Sequence, residues 1–439
     1  MIQAIQLLLS LSILVVLHEF GHYITAKMFG CRVEKFYLFM DWKFSLFKKK
    51  IGETEFGVGW LPLGGYVKIS GIIDESLDLN GIESEPKPWE LRAKPAWQRL
   101  IVMLGGIIVN ILLAWFIYSM ILFTYGEKYS PMSSLKDGFS FNEGGELLGF
   151  VDGDILTSID GEELLEYDRT QILSIIFNNV KEVGVIRDGR EMLIKIKKEN
   201  TNKVISNITN YSGDLIEPNI RFIVGDFLPK SVAKKHGLLK GDRIISINNR
   251  KTPFFNSDVI DYLKSQKNKR VVLLVERGSD IKEITIPLLS DGLLGVVPSQ
   301  EEYQKLRSYS FLGSIPAGLK KTNATMKMYW GQVKTIFNPQ TGGYKHVGGV
   351  ITIGKLFPNE WNWVWFWSIT ALLSIILAIM NLLPIPALDG GHAVIAIVEM
   401  VSGKKIPINV LMPLQVAGMI ILFALLIYAN GMDVVRLFN

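Results

Sequence analysis

A pair of histidines inside an apolar stretch carries the most specific chemistry in this sequence. His18-Glu19-Phe20-Gly21-His22 places two imidazoles four residues apart. Residues at that spacing share one face of a helix, so both rings can bind one Zn²⁺ ion. Glu19 lies beside the pair, where its carboxylate can accept a proton from an attacking water. The motif predicts a hydrolytic zinc site with His18 and His22 as ligands and Glu19 as general base.

The surroundings of the motif make it specific. Residues 1–17 carry no charge, and Glu19 is the only Asp, Glu, Lys or Arg before Lys27. Ionisable side chains inside an apolar span are costly, and they indicate a functional site by default. The alternative is that these polar side chains only hold neighbouring helices together.

A third ligand is required if one position on the metal is to stay open for water. Asp389 is the only acidic residue in 361–398, and a carboxylate is an acceptable ligand for zinc. The preceding segment begins at Asn381 and contains Pro384 and Pro386, which interrupt a helix. Irregular backbone at membrane depth persists only where it is buried in protein or lines a wet cavity. The sequence therefore predicts Asp389 as the third ligand.

Four long apolar runs must position these residues, and each supplies the ~20 residues that cross a bilayer core. They predict transmembrane helices near 3–29, 101–123, 363–383 and 411–430. A cleaved signal peptide is the alternative for the first run, but no basic residue precedes it. The net charge is only +5, with no stripe of Lys and Arg on one element, which argues against a nucleic-acid partner.

Lysine and arginine near the ends of the runs predict the orientation. Basic residues are concentrated after the first run and before the second, and Lys404 and Lys405 lie between the third and fourth. We therefore expect residues 30–99 and 384–410 to face the cytoplasm and 126–360 to lie outside.

Residues with β propensity flank Pro-Leu-Gly-Gly at 62–65 and predict a membrane-associated β-hairpin over 55–70. An exposed strand edge offers unpaired N–H and C=O groups, to which an extended substrate can add as a further strand. Either strand of the hairpin can be this edge. The candidates for substrate contact are Val58, Gly65, Tyr66 and Val67.

An internal repeat occupies the outer region. Gly-Asp-Ile-Leu-Thr-Ser-Ile-Asp-Gly at 153–161 aligns with Gly-Asp-Arg-Ile-Ile-Ser-Ile-Asn-Asn at 241–249, and each copy leads to a strand that ends in an Arg–Gly turn. Two copies of one αβ module explain this pattern. Residues 237–248 resemble the strand signature of PDZ domains, which implies peptide C-termini as ligands. A pair of spacer domains without a ligand is the alternative.

The predicted fold class is a multi-span α-helical membrane protein with about four transmembrane helices, two inserted PDZ-like αβ domains and a membrane-associated β-hairpin. The predicted segments are 1–29 (first span, with the zinc motif), 30–99 (cytoplasmic region), 100–125 (second span), 126–205 and 206–298 (PDZ-like modules), 299–360 (amphipathic outer-face segment), 361–398 (third span, with the Asp ligand) and 399–439 (fourth span and C-terminus).

Together these motifs resemble the site-2 proteases, the M50-type intramembrane zinc metalloproteases, and most closely their bacterial regulator-of-sigma-E-protease branch. The resemblance covers nearly the whole chain. It includes Pro-Leu-Gly-Gly-Tyr-Val-Lys at 62–68 and Asn-x-x-Pro-x-Pro-x-Leu-Asp-Gly-Gly at 381–391. The segments at 106–110 and 348–353 also match, but they lack the proline of the family's Gly-Pro-Ile pattern.

The resemblance implies one zinc ion held by His18, His22 and Asp389, with Glu19 as catalytic base. It implies that Asn381 helps to hold an unwound substrate backbone, and Pro384 of the same motif is a further candidate for substrate contact. His392, three residues after Asp389, is expected beside the site and not as a fourth ligand, because a fourth ligand would close the water position.

The implied activity is cleavage of transmembrane segments in regulated intramembrane proteolysis. The implied partners are the lipid bilayer and membrane-protein substrates, either a pre-clipped anti-sigma factor or remnant signal peptides. The implied location is the bacterial cytoplasmic (inner) membrane, with the PDZ-like modules in the periplasm and the zinc site toward the cytoplasm. A catalytically silent, membrane-anchored PDZ scaffold is the alternative function.

Overall fold

The computed structural model describes residues 2–71, 85–208, 210–211, 213–228, 231–341 and 343–438. The predicted cytoplasmic region therefore includes a segment, 72–84, outside the described residues. The chain divides into two compact units. Unit 1 comprises Met1–Tyr125, Ser308–Trp330 and Val347–Asn439, and unit 2 comprises Gly126–Arg307 and Gly331–His346.

The α-helices are, in chain order, α1 (Ile2–Met28), α2 (Ala96–Tyr125), α3 (Glu143–Leu147), α4 (Arg169–Phe177), α5 (Lys198–Ser206), α6 (Val232–Lys235), α7 (Ser257–Ser265), α8 (Phe311–Ile336), α9 (Val350–Gly354), α10 (Trp363–Leu382), α11 (Asp389–Ser402) and α12 (Ile408–Phe438). Short 3₁₀ turns cover Leu91–Ala93, Met132–Ser134, Pro339–Thr341 and Gly343–His346.

The strands are, in chain order, β1 (Val33–Ile51), β2 (Thr54–Ile69), β3 (Glu127–Pro131), β4 (Phe139–Phe141), β5 (Ile155–Ile159), β6 (Glu162–Glu163), β7 (Glu166–Tyr167), β8 (Glu182–Arg187), β9 (Arg190–Lys195), β10 (Ile216–Pro218), β11 (Val224–Phe227), β12 (Arg243–Ile247), β13 (Arg250–Lys251), β14 (Arg270–Arg277), β15 (Asp280–Pro287), β16 (Val296–Pro298) and β17 (Lys305–Arg307).

Four helices of unit 1 confirm the predicted spans. Helices α1, α2, α10 and α12 contain 27, 30, 20 and 31 residues, and each is long and apolar enough to cross a membrane. Helix α2 packs against α1, α10 and α11. Small polar side chains join these apolar helices: Ser374 donates to the Asn110 carbonyl oxygen at 2.8 Å, and Thr370 donates to Ser10 Oγ at 3.0 Å. Such bonds satisfy polar groups that would otherwise be buried in hydrocarbon.

The β-hairpin of unit 1 differs from the predicted one in its pairing. The prediction placed both arms within 55–70, with the turn at 62–65. In the structure β1 pairs with β2, the chain turns at Gly52 and Glu53, and 62–65 lies inside β2. The prediction was wrong because β propensity identifies a strand but not its partner. The lysines at 48–50 were interpreted as a basic flank beside a membrane span, so β1 was not recognised as a strand.

The register of this hairpin identifies its edge. Residues 35–38 of β1 pair with 65–68 and also with 55–58, so β1 lies between two parts of β2. Val58 therefore has partners on both sides, Leu38 and Phe47, whereas Val67 pairs with Phe36 alone among the described residues. Of the two segments that the prediction left open, the one that contains Val67 forms an edge.

Unit 2 contains two αβ modules of the same design. One has a four-stranded sheet in the order β6-β5-β8-β9, and the other has the order β13-β12-β14-β15. Each sheet has its own buried core, which includes Phe139, Leu156 and Val183 in the first module and Phe222 and Ile244 in the second. The separate cores agree with two inserted αβ domains.

The repeated Gly-Asp and Arg–Gly motifs meet in the structure as equivalent buried ion pairs. Arg187 donates through Nε and Nη2 to the two carboxylate oxygens of Asp154, both at 2.7 Å. Arg277 makes the same pair of bonds to Asp242, at 2.6 and 2.7 Å. Both aspartates are only 1% exposed. The sequence repeat is therefore a repeat of one charge-assisted contact that joins two strands.

The first and last strands of the inserted segment Gly126–Arg307 pair with each other. Strand β3, the first of unit 2, pairs antiparallel with β17, so that Glu127 lies opposite Arg307 and Tyr129 opposite Lys305. The guanidinium of Arg307 also lies over the Tyr129 ring, 4.0 Å from its centre. The chain therefore enters and leaves this block through adjacent strands.

We predict that Asp242→Asn destabilises the second module by about 1.5–3 kcal/mol at pH 7, because the buried side chain loses its two charge-assisted hydrogen bonds from Arg277. Burial raises the pKa of Asp242, but hydrogen bonds from Arg277 and the Leu239 N–H outweigh it and leave the pKa below its ordinary value. A lowered pKa stabilises the fold above the unfolded-state pKa, about 3.9, and this stabilisation is lost as the pH falls through the folded-state value. The difference between wild type and variant should therefore shrink below about pH 4.

Hydrogen exchange of the β12 and β14 amides, corrected for intrinsic rates, measures this difference. Asp258→Asn is the matched control, because its pair with Arg250 is exposed and should contribute at most about 1 kcal/mol. Equal, pH-independent effects of the two substitutions would contradict the prediction.

Candidate metal centre

Helix α1 places the two predicted histidine ligands side by side. The Nε2 atoms of His18 and His22 are 3.3 Å apart, and both side chains are buried. His22 Nδ1 lies 2.8 Å from the carbonyl oxygen of Val102 in α2. A carbonyl only accepts, so His22 carries its proton on Nδ1 and the lone pair of Nε2 faces its neighbour.

His18 is oriented by Asn110, also in α2. The Asn110 amide nitrogen lies 3.1 Å from His18 Nδ1, and its Oδ1 is buried without a hydrogen-bond partner among the described residues. Rotating the amide by 180° brings Oδ1 to the ring, where it accepts from Nδ1–H. The Nε2 atom of His18 is then unprotonated as well, which is the protonation state that metal binding requires.

Asp389 completes the group predicted from the sequence. Its Oδ2 lies 3.2 Å from His18 Nε2 and 3.3 Å from His22 Nε2, and it accepts no hydrogen bond from any described residue. Two ligands at about 2.0–2.1 Å from a tetrahedral zinc ion are separated by about 3.3–3.4 Å. The three donor atoms therefore have the mutual spacing of three corners of a zinc tetrahedron, and the residues present fit the ion.

The segment between α10 and α11 delivers Asp389 to this group. Pro384 and Pro386 interrupt the helical path, and Ala387 has φ 84°, in the left-handed region that favours glycine. Asp389 is then the first residue of α11. At the other end of α11, Glu399 forms a buried ion pair with Arg99 of α2. This ion pair ties the C-terminal part of α11 to α2.

A close approach of α1 and α2 brings the histidines against α2. A Cβ atom added to Gly21 would lie 2.3 Å from the Gly105 carbonyl oxygen, so the two backbones touch. A Cβ atom added to Gly106 would lie 2.5 Å from both His18 Cε1 and His22 Nε2. Only glycine at 106 leaves room for the two rings in these positions.

A cavity of about 690 Å³ opens beside the three donors. Among the residues predicted for the site, its lining includes His18, Glu19, His22, Gly65, Tyr66, Val67, Asn381, Asp389 and His392. Pro384 and Val58 do not line it. The metal donor group consists of His18, His22 and Asp389, and His392 lines the same cavity.

The hairpin edge reaches the predicted base inside this cavity. The backbone of Val67 and the Glu19 side chain line this cavity together. Gly65 lies against the same face of α1, where an added Cβ would be 3.7 Å from Glu19 Cγ. Tyr66 is engaged elsewhere: burial and a 2.9 Å hydrogen bond to Asp41 raise its pKa. Tyr66 therefore stays protonated and is a poor candidate for general base.

Three groups at the site were missed by the sequence analysis. Asn110 and Gln415 are amides within apolar runs, which was a usable signal because polar residues are rare there. The Gln415 side chain lines the cavity, and its Nε2 has no hydrogen-bond partner among the described residues. The Val102 carbonyl is a backbone group, so no side-chain pattern could have identified it.

Comparisons with known proteins agree with this geometry. A family model described as peptidase family M50 matches residues 6–425. A regulator of sigma E protease from Haemophilus influenzae is 27% identical over 98% of each chain. RseP, a regulator of sigma-E protease from Escherichia coli, is 27% identical over 91% of each chain. A putative zinc metalloprotease from Clostridium perfringens is 26% identical over 98% of this chain and 97% of the relative.

We predict that Gly106→Ala weakens zinc binding by at least about tenfold, because its methyl group displaces both imidazoles. Competition with a chromogenic chelator, followed by elemental analysis, measures the affinity. Gly431→Ala is the matched control, since that glycine also lies in a spanning helix and an added Cβ there meets no atom within 4 Å. Wild-type affinity in Gly106→Ala would show that the rings tolerate the methyl group.

Proposed function

The chain belongs to peptidase family M50 and is a membrane zinc metalloprotease, and we propose that it hydrolyses peptide bonds within transmembrane segments of other membrane proteins. The observation that carries this proposal is the convergence of His18, His22 and Asp389 beside Glu19, in a cavity lined by apolar spanning helices. A catalytically silent scaffold would need neither the donor spacing nor the adjacent carboxylate.

The metal-holding residues are His18 and His22 from α1 and Asp389 from α11. Zinc held there supplies a Lewis acid that polarises a substrate carbonyl and makes water more acidic. The protein's own part is to fix the donors before the ion arrives, through Val102 and Asn110 on the imidazoles. The apolar walls strengthen electrostatic interactions within the site.

Glu19 is the proposed general base. Its side chain lines the cavity together with His18, His22 and Asp389. It accepts a proton from the water that attacks the scissile carbonyl carbon. It then returns that proton to the amine nitrogen as the C–N bond breaks, so the carboxylate is regenerated in each turnover.

A helical substrate must become extended first, because its own hydrogen bonds shield the scissile peptide. The edge at 65–69 is the proposed receiving surface, since it lines the cavity and carries unpaired backbone groups. Asn381, which also lines the cavity, is the proposed holder of the substrate backbone. Its amide nitrogen lies 3.2 Å from His18 Nε2, at the metal position.

The substrate class and the orientation are further parts of the proposal. Relatives are named regulators of sigma-E protease. By analogy we infer a bacterial cytoplasmic-membrane protease that acts on a pre-clipped anti-sigma factor or remnant signal peptides. The basic flanks near Lys404 and around residues 30–99 favour a zinc site toward the cytoplasm and PDZ-like modules on the periplasmic side.

A pair of substitutions tests the enzymatic proposal. Glu19→Gln should keep stoichiometric zinc but reduce cleavage of a reconstituted transmembrane substrate by at least about a hundredfold, because the base is lost. Asp389→Ala should lose both zinc and cleavage, because two ligands remain. Elemental analysis and gel-based cleavage measure the two quantities. Near-wild-type turnover by purified Glu19→Gln would exclude Glu19 as the base.

The docking edge is tested at Val67. Val67→Pro removes a backbone N–H from the strand edge, whereas Val67→Ala keeps it, so only the proline variant should lose cleavage. Loss of docking should raise KM, with zinc content unaffected. An unchanged KM in Val67→Pro would eliminate the docking role. Val58→Pro is not informative, because Val58 is paired on both sides.

A further inference from the structure

The first αβ module of unit 2 contains a cleft that the proteolytic site does not use. We call it the lysine cleft. It has a volume of about 570 Å³, within the range of ligand sites, and it is formed by the ends of α4, β9 and α8 together with α5. Four lysines line it, Lys181, Lys195, Lys198 and Lys334, and Glu182 is the only carboxylate among the described residues of the lining.

Three of the four lysines in the lysine cleft form no salt bridge among the described residues. The side chains of Lys181, Lys195 and Lys198 have no ion-pair partner among the described residues, although salt bridges are frequent elsewhere in unit 2. Glu182 pairs in register with Lys195 across the sheet, but the two form no salt bridge. Like charges gathered in a concave site attract an anionic ligand.

The lysine cleft also contains apolar and hydrogen-bonding groups. Ile176, Ile196 and Ile205 provide a buried apolar floor, and Thr201 and Asn202 add hydrogen-bonding groups. An inorganic anion would use only the lysines. A ligand that matches the cleft therefore has acidic groups next to apolar and amide groups, as a peptide has.

An open strand edge leads into the cleft. Strand β9 is the last strand of its sheet among the described residues, and it ends at Lys195. Met192 and Leu193 of this strand are 44% and 61% exposed. Such an edge can pair with an extended chain. We propose that this module binds an extended acidic peptide, which adds to β9 and places its carboxylates in the lysine cleft.

This site differs from the peptide C-terminus binding implied by the PDZ resemblance, because it recognises acidic side chains within a segment. It is also independent of the proteolytic proposal, since it can be assayed in protein that does not cleave. The full chain in a neutral detergent, carrying Glu19→Gln, is titrated into a labelled peptide of alternating acidic and apolar residues, with both ends blocked. Fluorescence anisotropy reports binding.

We expect saturable binding of the acidic peptide and at least about tenfold weaker binding of an analogue with Gln and Asn in place of its acids. The double charge reversal Lys195→Glu/Lys198→Glu should lower the affinity for the acidic peptide by about tenfold. The matched double reversal Lys267→Glu/Lys269→Glu, at exposed lysines of the second module, should change this affinity by less than about twofold.

Two further arms use inorganic phosphate and nanodiscs that contain phosphatidylglycerol. The proposal is overturned if the acidic peptide binds no better than its neutral analogue, or if both charge reversals weaken it equally. It is also overturned if the Lys195/Lys198 reversal removes binding of phosphate or anionic lipid while peptide binding is unaffected, because the cleft would then be a phosphate site.

Discussion

Two imidazoles and a carboxylate must converge inside helices whose other side chains are apolar, and most of unit 1 follows from that requirement. Buried donors of this kind are costly unless each polar atom has a partner. The contact of α1 with α2 at Gly105 and Gly106 brings the rings within reach of the Val102 carbonyl and the Asn110 amide. The packing of α1 against α2 therefore also sets the orientation of the two imidazoles.

The site combines elements that are distant in sequence. The proposed base and two metal donors come from α1, and the third donor comes from α11. The proposed substrate-holding amide comes from α10 and the proposed docking edge from β2. The proposed docking edge and the proposed base line the same cavity, and an added Cβ at Gly65 of this edge would lie 3.7 Å from Glu19 Cγ. A substrate strand that pairs at this edge would thus lie beside the proposed base.

The sequence predicted the spanning helices and the three metal donors because helical spacing and the rarity of charge in apolar runs are local signals. It also predicted two related modules, since the Gly-Asp and Arg–Gly motifs recur. It could not give the partner of β2, because pairing is set by contacts across the chain. Asn110 was missed because it resembles the polar side chains that commonly join membrane helices. Val102 was missed because it acts through its backbone carbonyl.

The pairing of β3 with β17 has a consequence for how this architecture can change over evolution. Because Glu127 and Arg307 face each other, the two chain ends of the insertion are already held at strand spacing. The intervening residues can lengthen, shorten or be exchanged while the entropy of closing that loop changes only slowly. A lineage can therefore replace its inserted modules without changing the path of the helices that carry the metal donors.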